Sequence, residues 1–70
     1  MLVTEIIAQI TSDKPPVFTA GLVLRDDAVF EAAPIIGYMV RGRWTRAVVR
    51  DYCERRGWKI RIVSQQELHA

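Results

Sequence analysis

Residues 45–63 read TRAVVRDYCERRGWKIRIV, and the change of period within them decides the fold. Up to Arg56 the apolar positions recur at helical spacing. Val48, Val49, Tyr52 and Cys53 fall on an arc of about 140° when each residue advances 100°, which is a stripe suited to burial. Thr45 is a helix N-cap residue, and Gly57 supplies the left-handed residue that closes the other end. After Gly57 the period drops to two: Trp58, Ile60 and Ile62 alternate with Lys59, Arg61 and Val63, as in a strand with one covered face. A helix followed at once by a strand that shares its core is the minimal α+β statement.

Working outward, Leu2–Thr11 also alternates and is dense in valine, isoleucine and threonine, which suit a pleated surface. Leu2, Thr4, Ile6, Ala8 and Ile10 share one side. Ser12-Asp13-Lys14-Pro15-Pro16 is a loop, because two prolines remove donors and fix backbone angles. Val17–Arg25 alternates again, with Phe18, Ala20, Leu22 and Leu24 on its apolar side. Asp26-Asp27 turns the chain into a shorter run, Ala28–Ala32. Pro34 suits the first position of a two-turn helix, Pro34–Val40, and Arg41-Gly42-Arg43 breaks it. The order β-β-β-α-α-β predicts an α+β fold: a small, mostly antiparallel sheet with two helices packed on one face. The domain spans residues 1–63, and the polar stretch 64–70 reads as a frayed tail.

Seventy residues hold one small core, with half the residues apolar. Such a core leaves a margin of only about 3–5 kcal/mol. Cys53 is the sole cysteine and His69 the sole histidine, so neither a bridge within the chain nor a metal supplements it. Self-association is the remaining supplement. The lone thiol fits a reducing, cytoplasmic setting. The longest apolar region, Ala28–Val40, is interrupted by Glu31, Pro34 and Gly37, so no membrane span is expected.

Charge is unevenly spread. Of the 10 lysines and arginines, all but Lys14 and Arg25 fall between Arg41 and Arg61, where the acids are Asp51 and Glu54. A helix start flanked by arginines presents unpaired backbone donors and positive charge together, which suits phosphate. Arg41, Arg43, Arg46 and Arg50 are therefore the expected contacts to a nucleic-acid backbone. Against this, Glu54 follows Arg50 by one turn and Asp51 precedes Arg55 by one turn. Arg56 sits well at the negative end of the helix dipole, and such features mark an ordinary solvated face.

A second expectation concerns the sheet side away from the helices. It would carry Val3, Ile7, Val17, Val23 and Val63, branched apolar residues that form a protein-binding or homodimer surface when left open. An unpaired sheet edge would serve equally. Trp44 and Trp58 read as core anchors at the two ends of the helix. Cys53, on the buried stripe, reads as filler. No glycine-rich phosphate loop, paired catalytic carboxylates or metal spacing occurs, so the expectation is a binding protein rather than an enzyme, with no cofactor.

The run Ala33-Pro34-Ile35-Ile36 with Tyr38-Met39, then Trp44, Val49, Tyr52-Cys53 and Gly57-Trp58, resembles small uncharacterised bacterial and prophage-encoded proteins over about residues 20–63. The resemblance implies a bacterial cytoplasmic setting and carries no activity with it.

Overall fold

The structure is a computed structural model and describes residues 2–69. The elements are β1 (Leu2–Ser12), β2 (Phe18–Arg25), β3 (Ala28–Ala32), a 3-10 turn (Pro34–Ile36), α1 (Tyr38–Arg41), α2 (Arg46–Arg56) and β4 (Lys59–His69). They form an antiparallel sheet in the order β3-β2-β1-β4 with both helices on one side, so the chain is α+β.

β1 and β2 are the two inner strands. Ile6, Ala8 and Ile10 face the helices and pair with Leu24, Leu22 and Ala20 of β2, all buried. Ile36, Met39, Val49 and Cys53 close over them to complete the core. The β2–β3 hairpin turns through Asp26 and Asp27, whose φ angles of 48° and 71° define the left-handed two-residue turn that matches strand twist. Aspartate tolerates that backbone because its short side chain bonds locally. Asp26 Oδ1 accepts from Thr4 N at 3.3 Å.

α2 begins and ends where its capping residues require. Thr45 Oγ1 accepts from Val48 N at 3.4 Å, and Gly57 takes φ 71°. The stripe is narrower than the sequence suggests. Val49 and Cys53 are buried, Tyr52 is half-buried, and Val48 is exposed. Val49 and Cys53, four residues apart, point straight at the sheet, and Val48 lies 100° off that line.

Two further expectations are corrected. The first helix is not one two-turn element; the 3-10 turn and α1 are joined at Gly37, whose N–H closes the turn on the Pro34 carbonyl at 3.1 Å. The stretch 64–69 is strand, not frayed tail. β2 pairs with β1 only as far as Glu5, and the Asp26 turn takes up the Thr4 amide and carbonyl, so the backbone of Leu2 and Val3 needs another partner. β4 supplies it by running on until His69 lies opposite Leu2. Two paired eleven-residue strands, each about 36 Å long at about 3.3 Å per residue, make up most of the 42 Å long axis. No described helix is long and apolar enough to cross a membrane.

Candidate functional site

The two edges of the sheet are finished differently. β3 is short, and the segment entering α2 covers the outer side of its first residues, Ala28 and Val29. Val29 N donates to the Trp44 carbonyl at 2.8 Å, Arg46 N donates to the Asp27 carbonyl at 3.0 Å, and Ala28 bridges Thr45. β4 is long and, among the described residues, pairs only with β1. Its register with β1 shifts between Ile7 and Ala8: Ala8 faces Ile62 and Ile7 faces Ser64, which leaves Val63 without an opposite residue. Such a bulge bends the edge and ends one register of side chains.

Helix placement leaves β4 half-covered. Ile60 and Ile62 lie opposite Ile10 and Ala8, on the helix side, yet remain 38% and 44% exposed, and Val63 is 53% exposed. Between α2 and β4 runs a groove of about 360 Å³. Ile6, Ala8, Leu24, Ile60 and Ile62 make its apolar lining, Arg46 and Arg50 its charged part, and Arg61 borders it along β4. Lys59 and Arg61 are paired with Thr11 and Gln9, so they project from the opposite side of the strand.

The four arginines expected to act together are thus divided. Arg46 and Arg50 line the groove with Arg61, which was not among them. Arg43, held at φ 49° in the turn before α2, lines a separate hollow with Arg25 and Phe30 beside β3. Arg41 is exposed at the end of α1 near Gly37. Carboxylates temper the helix surface. Asp27, Asp51 and Glu54 share a hollow with Arg46 and Arg50, and Asp51 pairs with Arg55 at 3.1 Å. Arg56 lies over the rings of Tyr52 and Trp58, at 4.6 and 5.4 Å from their centroids.

The open sheet face is not a continuous apolar surface. Ile7 and Val23 do lie opposite each other, and Val3 lies opposite Leu68, all half-buried. Between these pairs sits Glu5, buried, accepting from Arg25 Nε at 3.0 Å and from Gln66 Nε2 at 3.1 Å. The Gln66 hydrogen bond and then that from Arg25 hold the Glu5 carboxyl below its usual range. Arg25 also stacks over Phe30 at 4.1 Å. Val17 precedes β2 and is exposed, and Val63 belongs to the β4 bulge, so neither joins Ile7 and Val23.

Aromatic side chains form a second small cluster across α2. Phe18, Trp58, Tyr52, Trp44 and Tyr38 meet edge to face in sequence, at centroid separations of 4.9, 5.5, 4.9 and 5.4 Å. Trp44 and Trp58 both pack against the core, as core anchors do. Tyr38 donates its hydroxyl to Tyr52 at 3.2 Å, and burial, reinforced by that bond, pushes the Tyr38 phenol up to about 12. Burial likewise raises the Cys53 thiol, which disfavours the reactive thiolate. The side chain of His69 lies outside the described residues.

Glu5, Gln66 and the groove were missed in the sequence. The one available signal was the length of β1, whose outer residues demand a partner strand and so draw Gln66 towards Glu5. Comparison with known protein families, curated proteins and solved structures finds none that matches this chain.

Proposed function

We propose that this chain is a non-enzymatic protein-interaction module that takes a partner segment as an added strand along β4, beside the groove under α2. The observation that carries this reading is the open β4 edge with Ile60, Ile62 and Val63 part-exposed along it. Strand addition supplies main-chain hydrogen bonds worth about 0.5–1.5 kcal/mol each. Covering what is left of the three side chains adds about 1 kcal/mol apiece, since full burial of each is worth about 1.5–3. Charge favours a foreign partner over a second copy. Two copies paired through β4 would bring together Lys59 and Arg61 of each, with Glu67 the only acid of that strand to answer them.

The test is selection of binders from a displayed peptide library, followed by amide shift mapping on the protein. Binders that move the amides of residues 59–67 and are lost in Ile62→Lys support the reading. Binders that move Ile7 and Val23 instead return the site to the open face.

Nucleic-acid binding is the second reading, favoured by Arg46 and Arg50 on one groove that Arg61 borders from β4. The groove's apolar lining is aliphatic, with no ring on which a base would stack, and this ranks it second. Three phosphate contacts would give a log–log salt slope of about −0.9 per contact on duplex DNA. Retention of nothing at low salt disposes of it.

A further inference from the structure

We infer that the segment received by β4 is an extended peptide in which acidic and branched apolar residues alternate, and this rests on the strand-addition reading above. Cross-strand neighbours in a sheet point to the same side, so the edge residues dictate what sits opposite them. Over Lys59–Ile62 the edge alternates strictly. Ile60 and Ile62 face the helix side with Ile10 and Ala8, whereas Lys59 and Arg61 face the other side with Thr11 and Gln9. A strand added there places every second side chain against Ile60 and Ile62, where the groove's aliphatic lining accepts a valine or isoleucine. The intervening side chains stand opposite Lys59 and Arg61, where carboxylates satisfy two cations that the described structure leaves without an ion-pair partner.

The bulge sharpens this choice. With Val63 unmatched, the side-chain alternation changes phase after Ile62, and a partner reading straight through would present its acids to the wrong side. The recognised segment is therefore short, and its register is set by the stretch before Val63. Lysine in place of the acids would oppose like charges directly, which disfavours pairing.

The experiment titrates the full chain with two blocked peptides, one alternating glutamate with valine, the other alternating lysine with valine, and follows backbone amide shifts. The glutamate peptide is expected to move the amides of Lys59–Val63 and to bind at least tenfold more tightly than the lysine peptide. In the double variant Lys59→Glu and Arg61→Glu that preference inverts. Both positions are exposed on the edge strand, and Ile62→Thr, which keeps strand propensity, provides a second variant expected to weaken binding severalfold. Equal or tighter binding of the lysine peptide at β4 overturns the acidic partner and leaves strand addition standing. Neither peptide moving β4 overturns both. A thymidine oligonucleotide that shifts Arg46, Arg50 and Arg61 while the glutamate peptide is inert overturns the inference in favour of nucleic acid.

Discussion

The β3 and β4 edges belong to one sheet yet solve the problem of an unpaired strand in opposite ways. At β3 the chain folds back on itself: Trp44 and Thr45 meet the outer backbone of Val29 and Ala28, and the Asp27 carbonyl accepts from the first amide of α2. At β4 no chain returns among the described residues, and protection is left to Lys59, Arg61 and a bulge at Val63. One edge is used to fasten a helix, and the other is kept free. The difference teaches where this small protein has surface to offer, because a covered edge binds nothing and a charged, half-covered one selects what it binds.

The contrast is most easily broken by matched truncations. Val29→Ala removes buried methyl groups at 4% exposure and should cost about 2–3 kcal/mol from lost transfer energy plus the cavity left behind. Ile62→Ala removes a larger side chain but one already 44% exposed, and should cost about 1 kcal/mol or less. Urea unfolding of both variants decides it; equal losses would mean that β4 is packed as firmly as β3.

Gly42→Ala attacks the fastening itself. A Cβ there would stand 2.6 Å from the Trp44 indole nitrogen, so the ring of the residue whose carbonyl meets β3 must move. Overpacking of this kind costs about 1–3 kcal/mol. The measured signature is lower stability together with faster exchange of the Val29 amide, which bonds to the Trp44 carbonyl. Loss of stability with Val29 still protected would show that Trp44 does not hold the edge.

Glu5→Gln tests how β4 is tied down beyond the bulge. In the fold the Glu5 carboxyl lies below its usual range because Gln66 and Arg25 both donate to it. Its contribution is therefore present above the unfolded carboxylate value of about 4.3 and drains away as pH falls through the lower folded value. Unfolding midpoints of the parent should fall over that acid window, and those of Glu5→Gln should change less across it. An unchanged acid slope in the variant would remove Glu5 from the account.

The smallest effect expected is a gain. Gly21 lies on the open face of β2, and a Cβ there meets nothing within 4 Å. Gly21→Ala should stabilise by about 0.5 kcal/mol through lower backbone entropy in the unfolded chain, and leave peptide binding untouched. Weakened binding would relocate the interface to the open face.

Much of the fold was legible because single residues fix it locally. Thr45 and Gly57 bound α2, Asp26-Asp27 turns the hairpin, and the alternation of Ile6, Ala8 and Ile10 selects the core side of β1. The strand character of Gln65–His69 was not legible, because an edge strand is held by backbone pairing and needs no apolar side chains. Nor was the shift at Val63, since a bulge is a property of two strands in register and not of either alone. The β4 edge and its groove were not legible, because they depend on how α2 and β4 are placed in space. Arg46 and Arg50 line the groove while Arg41 and Arg43 do not, and the groove's other wall comes from β4, which spacing along one helix does not reveal.

Hydrogen exchange at β4, with and without the alternating glutamate–valine peptide, tests the central claim most directly. In the free protein the outward amides of residues 59–67 should exchange quickly while the Val29 amide stays protected, and the peptide should slow alternate β4 amides only. Outward β4 amides already slow in dilute free protein, or fast ones that the peptide leaves unchanged, would contradict the account.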